Sequence, residues 1–557
     1  MKTIIDLLQN KLQATPDKVI FRFWQNEIVD ELTFASLDRR AKAAAAQLQS
    51  VAAAGERVIL ALPQSLNPIV GFFACSYSGM VAVPVLLPPM NRLEILKRFL
   101  GDAQAQTILT VSAMSSALKA EAEAAGLGHL RWVDMDAAGA SAEAWKPVSL
   151  SADTPALMLY TSGSTNLPRG ILATQGNLVA SIEATVEPFK GRGEINAVAW
   201  APLGTAIGLL LPMQVLGYEG SQLWFAPPVF IQKPVTWLKL ISEYHANLSV
   251  GATFAYRLCV DAVKPEERDG LDLSAWSVAM CGGEPVRWDV LKQFARTYEP
   301  YGFSFRSFSP IYGLSESMGG SQSNIDRGPM AVWAKNDALE QRRLVEAAEG
   351  EACARPFVSC GAPLPGFNML IVDPETRQPC APDQIGELWM SGPAVTQGYW
   401  NKPNETEETF KARLASGEGP YLRTGDLAFM KNGELYIAGR LKDVIIINGR
   451  NLSAVDFEIA ASMSHPALMP GAAAAFSVAV NNEEKVILMH ETRPGQEGVN
   501  VEEAALNIRT AVSTQLSVPL YEVLLMKPGS LPRTASGKIQ RYLCRARYLE
   551  SQAGGRK

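Results

Sequence analysis

The sequence is poor in histidine, in paired cysteines and in charge, and each shortage excludes a class of protein. It has only four histidines and seven cysteines, with no C-x-x-C or H-E-x-x-H motif, so we expect no zinc site. An odd, scattered set of cysteines is typical of free thiols in a reducing compartment. Lysine and arginine number 51 against 56 acidic residues, which argues against binding of nucleic acid through a broad basic surface.

Uninterrupted hydrophobic runs are also missing. The segment 58–91 carries no charge and is long enough to cross a membrane. Prolines and serines interrupt it, however, and its pattern predicts a strand, a helix and a strand in a buried α/β core. Asp6 stands where a signal peptide would have its apolar stretch. We therefore expect a cytoplasmic protein without a signal peptide or a membrane span.

What the chain has in abundance is apolar sequence in alternating elements. Hydrophobic residues make up 47% of its 557 residues and charged residues 19%, a composition that can fill large cores. Up to about residue 310, short strands alternate with helical segments, which predicts a largely parallel sheet with helices on its faces. Between about 360 and 440, short strands and turns predict a small antiparallel sheet or barrel. A mixed α/β pattern follows, and we place the boundary near residue 441.

The sharpest motif is PALMLYTSGSTNLPRG, residues 155–170. An apolar strand leads into a loop of small and hydroxyl-bearing residues. Glycine lets the backbone approach an anion closely, while hydroxyls and free N–H groups donate to phosphate oxygens. No Walker A sequence occurs in the chain. The loop alone is equally consistent with a phosphate site and with an ordinary serine- and glycine-rich connection.

Four further motifs follow in a fixed order. They are YGLSE at 312–316, TGD at 424–426, GRLKD at 439–443 and PRTASGK at 532–538. Together with the loop, they resemble the adenylate-forming superfamily of acyl-CoA synthetases, peptide-synthetase adenylation domains and luciferases. The segments PPVFIQKPVTWLKLIS (227–242), GATFAYRLC (251–259) and FVSCGAPLPGFNMLIVDPET (357–376) narrow this resemblance. They make the chain most similar to fatty acyl-AMP ligases, which load acyl groups onto carrier proteins rather than CoA.

This resemblance covers nearly the whole chain and implies its architecture. We expect an α/β fold: a large N-terminal domain of two α/β subdomains plus a small β-barrel-like subdomain (1–440), then a small, mobile α+β C-terminal domain (441–557). The long spacer at about 324–357 is similar to the insertion that marks these ligases. Its sequence predicts a helix capped by Asp337 and Glu340 that ends at Gly350. A surface helical hairpin without functional consequence is the alternative.

ATP and Mg²⁺ are the cofactors that the resemblance implies. Glu316 would supply a hard oxygen ligand for Mg²⁺ that bridges ATP phosphates. Lys538 would stabilise the charge that grows as a carboxylate attacks the α-phosphorus. Arg169 in the phosphate loop is, with Glu316 and Lys538, an expected catalytic residue. Lysine is usual at this position, so the planar guanidinium of arginine replaces the point charge of a lysine ammonium. The other expected nucleotide-binding residues are Thr161, Ser162, Gly163, Ser164, Thr165, Gly283, Glu284, Pro285, Tyr312, Gly313, Asp426 and Arg440.

Individual roles follow for some of these residues. Tyr312 can stack on adenine, although a core tyrosine would look identical in sequence. Asp426 can accept both ribose hydroxyls, although a T-G-D turn is common in loops, and Arg440 would reinforce the ribose end. Lys442 would be the hinge about which the C-terminal domain rotates between adenylation and acyl transfer.

One element departs from the family pattern. Fatty acyl-AMP ligases normally have His-Asp where this chain has Thr205-Ala206. An imidazole and a carboxylate are therefore missing beside the expected acyl carboxylate. Because Lys538, Glu316 and Asp426 remain, we favour altered acid specificity over inactivity. The expected acyl-binding residues are Thr205, Ile207, Gly208 and Phe254.

Three hypotheses follow. The leading one is an ATP- and Mg²⁺-dependent ligase that forms an acyl-AMP and passes the acyl group to the phosphopantetheine thiol of a separate holo acyl carrier protein. The second is an acyl-CoA ligase with the same first step, against which the spacer argues. The third is a catalytically impaired homologue that acts as a nucleotide-binding scaffold, favoured by Thr205-Ala206 and disfavoured by the intact Lys538.

Overall fold

The structure is a computed structural model that describes most of the chain. The described residues are 2–87, 92–139, 141–161, 169–203, 205–447, 450–480, 483–496, 498, 500–516, 518–534 and 538–554. They form large helix-covered sheets, smaller antiparallel sheets and, after residue 443, a small α+β unit.

One large sheet is built mainly from the first 170 residues. In spatial order its strands are Arg131–Asp134, Thr107–Thr110, Arg57–Leu60, Val81–Pro84, Pro155–Thr161 and Arg169–Thr174. All neighbours pair in parallel except the last two, which are antiparallel. The strands Thr107–Thr110 and Val81–Pro84 are buried along their whole length, as parallel strands covered on both faces should be.

The second large sheet carries the central part of the chain. In spatial order its strands are Ala362–Pro363, Gly319–Gln322, Phe308–Leu314, Val278–Cys281, Leu248–Gly251, Ile195–Ala199, Gly220–Phe225, Val19–Trp24 and Ile28–Thr33. From Phe308–Leu314 to Val19–Trp24 the strands are parallel. Their carboxyl ends therefore meet at one edge, where sites in open α/β sheets are found.

Smaller sheets complete the molecule. One consists of Asn368–Val372, Gly386–Ser391, Leu422–Lys431 and Glu434–Arg440, all antiparallel. Beyond residue 443 the hairpin Val444–Ile447 and Arg450–Ser453 precedes a sheet of Leu468–Val480, Glu483–Thr492 and Glu522–Met526. The expected fold class, with two α/β units, a small antiparallel unit and an α+β C-terminal unit, is confirmed.

Helices cover these sheets, and several begin at hydroxyl caps. Thr33 and Thr174 each form a capping box with the residue three positions later, so the first free N–H groups of both helices are satisfied. The helices are Ile4–Ala14, Phe34–Val51, Asn67–Tyr77, Arg92–Ala103, Ser112–Ala124, Gln175–Val186, Ala206–Met213, Pro227–Gln232, Val235–Glu243, Thr253–Ala262, Trp288–Tyr298, Asn336–Glu340, Pro403–Phe410, Ala454–Ser462, Val501–Leu516 and Arg541–Gly554.

The uncharged segment 58–91 folds into the predicted strand, helix and strand, although its last four residues lie outside the described part. The helix Asn67–Tyr77 is buried from Pro68 onward. Across the described ranges, we find no helix with both the length and the apolar character needed to cross a membrane.

The helix predicted after the phosphate loop, from about Asn177, is present and begins at Gln175. The strand Arg169–Thr174, which pairs with Pro155–Thr161, precedes it.

The predicted helix of the spacer, in contrast, was wrong. Only Asn336–Glu340 is helical, without a side-chain cap, and the chain leaves the helical turn at Arg342, whose φ is 55°. The spacer is instead a small antiparallel sheet of Glu346–Ala347, Ala331–Lys335 and Ala354–Val358. Asp337 accepts a hydrogen bond from the N–H of Ala338, and the carboxylate of Glu340 pairs with another unit of the fold.

Candidate active site

Several of the predicted site residues lie at the carboxyl edge of the second large sheet. Gly283, Glu284 and Pro285 follow the strand Val278–Cys281, and Tyr312 and Gly313 lie near the end of its parallel neighbour Phe308–Leu314. Gly283 has a φ of 80°, a left-handed conformation that favours glycine. The chain therefore turns sharply at the strand end, which brings Glu284 over the edge of the sheet.

Asp426 joins this edge to the small antiparallel sheet. The Tyr312 hydroxyl donates to its Oδ2 at 2.7 Å, and the Nε of Arg440 lies 2.9 Å from its Oδ1. Asp426 and Arg440 are direct cross-strand partners, so the sheet register sets this ion pair. Burial raises the pKa of the Asp426 carboxyl, while the charge of Arg440 and the Tyr312 hydroxyl act in the opposite direction.

Tyr312 therefore has a second role that its position in the sequence did not show. Its hydroxyl is already bound to the carboxylate that the sequence assigns to the ribose. Burial and the neighbouring Asp426 raise the pKa of the Tyr312 hydroxyl, so it stays a hydrogen-bond donor at neutral pH. A ring held in this way by its hydroxyl presents a fixed apolar face, as stacking on a base requires.

Glu316 lies close to Arg169, the residue at the end of the phosphate loop. Its backbone carbonyl accepts from the N–H and the hydroxyl of Thr396, at 2.9 and 3.0 Å. Its Oε1 accepts from the hydroxyl of Tyr399 at 3.1 Å, and the guanidinium carbon of Arg169 lies 4.3 Å from the centre of the Tyr399 ring. Burial raises the pKa of the Glu316 carboxyl, and Tyr399, Arg169 and Arg440 oppose this rise.

Only the two ends of the phosphate loop lie within the described residues. Thr161 is the last residue of the strand Pro155–Thr161 and pairs with Arg169 across the two strands. Ser162, Gly163, Ser164 and Thr165 lie outside the described residues. The two ends of the loop thus leave and re-enter the same sheet, with Arg169 at the return.

Lys538 lies in a short hairpin formed by residues 531–534 and 538–540, and residues 535–537 lie outside the described part of the chain. The N–H of Thr534 donates to the carbonyl of Lys538 at 2.7 Å, and the N–H of Lys538 donates to the Thr534 hydroxyl at 3.1 Å. At the base of the hairpin, the buried carboxylate of Glu491 accepts from the N–H of Leu531 at 2.7 Å and from Arg533 at 2.9 Å. This carboxylate fixes the base of the hairpin to the C-terminal sheet.

The charge of Lys538 links the C-terminal unit to the site. Desolvation and the charge of Arg440 lower the pKa of the Lys538 ammonium, while Glu284 and Asp426 act to raise it. Burial raises the pKa of the Glu284 carboxyl, and Lys538 opposes that rise. Arg440, Asp426 and Glu284 therefore lie within electrostatic range of the ammonium, although they are about 100 residues or more away in sequence.

Glu284 also has a structural role. Its Oε1 accepts from the N–H of Phe254 at 2.6 Å, in the first turn of the helix Thr253–Ala262. That helix has no side-chain cap of its own, so Glu284 satisfies one of its free N–H groups. The Thr253 hydroxyl adds a bond to the carbonyl of Pro285 at 3.1 Å.

The Thr205 element is organised around its own helix. The Thr205 hydroxyl donates to the carbonyl of Pro202 at 2.8 Å and accepts from the N–H of Gly208 at 3.3 Å, which caps the helix Ala206–Met213. A Cβ on Gly208 would lie 1.9 Å from the Pro202 carbonyl oxygen, so only glycine fits there. The side chain of Ala206 lies outside the described part of the structure.

Two expected acyl-binding residues are unusually exposed for apolar side chains. Ile207 is 40% and Phe254 is 37% accessible. The Phe254 ring contacts Trp200 edge to face at 6.0 Å, and Trp200 stacks on Phe230 at 4.2 Å. An open apolar surface backed by packed aromatic rings is a suitable wall for an aliphatic ligand.

The spacer is bonded to the C-terminal unit. Both carboxylate oxygens of Glu340 accept from Arg450, at 2.8 and 2.7 Å, and the Glu340 carbonyl accepts from Asn451 at 3.2 Å. Arg355 forms a second ion pair with Asp456. These contacts hold the C-terminal unit in the arrangement in which Lys538 faces the site.

The predicted hinge lies between the two regions. Lys442 is exposed, in a single helical turn at 441–443 that joins the strand Glu434–Arg440 to the hairpin beyond it. Its neighbour Asp443 is paired with Arg541 at 2.5 Å, on the C-terminal side. The structure thus gives Lys442 a connecting position, and its role as a hinge stays a prediction.

A magnesium ion at this site would need ligands from the nucleotide as well as from the protein. Within the described ranges no group of three or more His, Cys, Asp or Glu side chains could hold a metal by itself. Glu316 is a lone carboxylate in a partly buried setting where a nearby cation would offset the desolvation of its charge. One carboxylate plus substrate phosphates is a ligand set that Mg²⁺ commonly accepts, so the residues fit the ion.

Sequence reasoning missed three groups that shape the site. Tyr399, Glu491 and the Glu340–Arg450 pair lie outside the predicted set. The first two are a loop tyrosine and a strand glutamate, residue types that are common in such places. A carboxylate at 0% exposure is unusual, but burial is known only from the structure.

With this geometry in place, the relatives of the chain can be compared. Residues 8–400 match the AMP-binding enzyme family, and the chain belongs to that family. It is 38% identical over 568 residues to the medium-chain-fatty-acid–[acyl-carrier-protein] ligase JamA of Moorena producens, covering 98% of this chain and 95% of the relative. It is 30% identical over 581 residues to the long-chain-fatty-acid–AMP ligase FadD32 of Mycobacterium marinum, covering 96% and 92%.

Solved structures give the same result. A structure from a study of fatty acyl-adenylate ligases from E. coli and L. pneumophila superposes with a TM-score of 0.89 at 29% identity, covering 100% of this chain and 99% of that one. The fatty acyl-adenylate ligase of L. pneumophila in complex with acyl adenylate and pyrophosphate gives 0.76 at 29%, covering 99% and 96%. The resemblance inferred from the motifs is confirmed.

Proposed function

We propose that the protein is an ATP-dependent ligase that converts a fatty acid to its acyl-AMP and then transfers the acyl group to the phosphopantetheine thiol of a separate holo acyl carrier protein. The observation that carries this proposal is the proximity of Lys538 and Arg440 to Asp426, with Glu316 also within electrostatic range of Arg440. The identity of 38% to a fatty-acid–[acyl-carrier-protein] ligase supports the choice of acid and acceptor.

In the first step, a carboxylate oxygen of the acid attacks the α-phosphorus of ATP. The bond from that phosphorus to the bridging oxygen breaks, and pyrophosphate leaves. Lys538 stabilises the charge that develops on the phosphoryl oxygens, more in the transition state than in the ground state. Asp426 holds the ribose hydroxyls, with Arg440 and Tyr312 fixing its two oxygens.

The groups at the phosphate end are those around Glu316. Bound Mg²⁺ would neutralise phosphate charge, and the Glu316 carboxylate would hold it. Arg169 supplies a cation at the end of the phosphate loop, and the loop backbone would donate N–H groups to the phosphates. A partly desolvated environment strengthens each of these interactions.

The exposed faces of Ile207 and Phe254 make an aliphatic chain the favoured acid. Because the Thr205 hydroxyl already serves the helix cap, it does not replace the missing imidazole as a free polar group. The acid carboxylate then depends on Lys538 for its counter-charge, which suits a substrate recognised by its tail rather than by polar groups near the carboxylate.

In the second step, the thiol sulfur attacks the acyl carbon of the mixed anhydride and AMP leaves. We propose that residues 441–557 rotate about Lys442 between the two steps, with 1–440 as the fixed part. The ion pairs of Glu340 and Arg355 oppose this rotation and so favour the adenylation arrangement. All seven cysteines are free thiols, which supports a cytoplasmic location.

Pyrophosphate exchange with fatty, short-chain and amino acids tests the first step. We expect exchange with fatty acids, and faster product formation with a holo carrier protein than with CoA. Exchange with no acid at all would refute the proposal in favour of a scaffold role. Efficient acyl-CoA formation would identify a CoA ligase instead.

A further inference from the structure

One side chain without a role so far, Tyr399, touches both groups that meet the phosphates. Its hydroxyl donates to Oε1 of Glu316 at 3.1 Å. Its ring lies 4.3 Å from the guanidinium carbon of Arg169. Tyr399 is 7% exposed, so these contacts are made inside the protein.

The position of this ring is fixed by the strand that carries Arg169. Tyr399 forms a β-bridge with Ile171, and the N–H of Trp400 donates to the carbonyl of Gly170 at 2.7 Å. The N–H of Tyr399 donates to the Thr406 hydroxyl at 3.0 Å, and Phe410 packs edge to face on the ring at 5.0 Å. The backbone pairing therefore sets the distance between ring and guanidinium.

The contact depends on the shape of the arginine side chain. A planar guanidinium stacks on an aromatic face and keeps its donors in the plane free for other partners, which a lysine ammonium does not do in the same way. The Nε of Arg169 is buried and has no hydrogen-bond partner within the described ranges. The contact with Tyr399 therefore restrains the Arg169 guanidinium.

We propose that Tyr399 is a positioning residue for the phosphate end of the site. Its ring orients Arg169, and its hydroxyl orients the Glu316 carboxylate, so one side chain sets the spacing between the cation and the metal-binding oxygen. The proposal rests on the proposed function, because both groups act on ATP. It predicts that the two halves of Tyr399 affect different properties of nucleotide binding.

The test separates the ring from the hydroxyl. ATP affinity is measured by calorimetry on the full chain, once in EDTA and once as a titration with Mg²⁺. Tyr399→Phe keeps the ring: we expect unchanged affinity in EDTA and about a tenfold higher Mg²⁺ concentration for half-maximal tightening, as for loss of a partner of a metal ligand. Tyr399→Leu loses the stacking as well, and we expect affinity in EDTA to fall about threefold to tenfold.

A double-mutant cycle links the ring to Arg169. In an Arg169→Gln background, Tyr399→Leu should change the affinity in EDTA by less than about twofold, because no cation remains to be oriented. Tyr421→Phe is the matched control, since that hydroxyl binds Glu418 away from the site, and it should alter neither measurement. Melting curves show that each variant is folded at the temperature used.

The outcomes distinguish this proposal from the proposed function. If Tyr399→Phe weakens binding in EDTA as much as in Mg²⁺, or if the Tyr399→Leu loss persists in the Arg169→Gln background, Tyr399 does not position these groups. Should Tyr399→Leu fail to fold, the separation of the two measurements by Tyr399→Phe decides. A wild-type chain that binds no ATP refutes both proposals.

Discussion

Replacing Lys538 by alanine removes a cation that the C-terminal unit brings to the site. Arg440 stays in place because it is held by Asp426 at 2.9 Å. The hairpin also stays, because its bonds run through the backbone, the Thr534 hydroxyl and Glu491 rather than through the ammonium. The substitution therefore removes charge from the reacting centre with little change elsewhere.

Because the substitution changes little else, its effect on the adenylation rate should equal that of losing one positive charge at the reacting centre. Loss of one preorganised donor to developing charge lowers the rate of a chemical step by about 10²–10³-fold, or about 3–4 kcal/mol. We expect a decrease of this size in adenylation, in kcat more than in the KM for ATP, because the ammonium acts mainly on the transition state.

The pH dependence of the adenylation rate gives an independent test of the role of Lys538. The environment lowers the pKa of Lys538 below 10.5, and only the protonated form carries the useful charge. The adenylation rate should therefore fall as the pH rises through this lowered pKa, before an ordinary lysine would lose its proton. Lys538→Arg should move that fall to higher pH, since arginine keeps its charge.

Acid-dependent pyrophosphate exchange measures both effects. Lys527→Ala is the matched control: Lys527 is exposed on the same unit, and the structure gives it no contact with the site. Near-normal exchange in Lys538→Ala would refute the assignment, and a loss confined to the transfer step would place the lysine elsewhere in the cycle.

Three further predictions concern the domain boundary and the acyl element. Lys442→Pro should leave pyrophosphate exchange largely intact and abolish acyl transfer, whereas Lys442→Ala should leave both half-reactions largely intact. Equal loss of both half-reactions in Lys442→Pro would refute a hinge. Glu340→Gln should weaken the pairing to the C-terminal unit and raise the rate of acyl transfer severalfold at constant exchange, with Glu346→Gln as the control; an unchanged transfer rate would show that the pairing does not restrain rotation. Thr205→Ala should lower the free energy of unfolding by about 1 kcal/mol through loss of the helix cap, which urea denaturation measures; an unchanged value would mean that the cap carries no energy.

Much of the site was predictable because its residues occur in short motifs. The segments that contain Lys538, Asp426 and Glu316 each resemble in sequence the motifs of one family. The order of these segments along the chain indicated the fold class. The segment 58–91 was also predictable, since its prolines and serines rule out a continuous apolar helix. These features depend on a few neighbouring residues.

The spacer shows where such reasoning fails. Asp337 and Glu340 have the spacing of a capping box, but Glu340 forms two bonds with Arg450 of the C-terminal unit. An ion pair with a partner over a hundred residues away competes with a local cap, and local spacing carries no information about that partner. The strands of the spacer likewise form only against one another.

The sequence by itself determined which chemical groups the protein has: the phosphate loop, the carboxylates, the lysine and the absence of His-Asp at 205–206. Only the tertiary structure decided which of these groups meet. The pairing that places Tyr399 against Arg169 and the approach of Lys538 to Asp426 join segments far apart in the chain, and the Asp426–Arg440 pair depends on the register of a hairpin. The physical reason is that motifs follow from local residue order, whereas charge coupling and orientation depend on distances that long-range strand pairing and domain contact set.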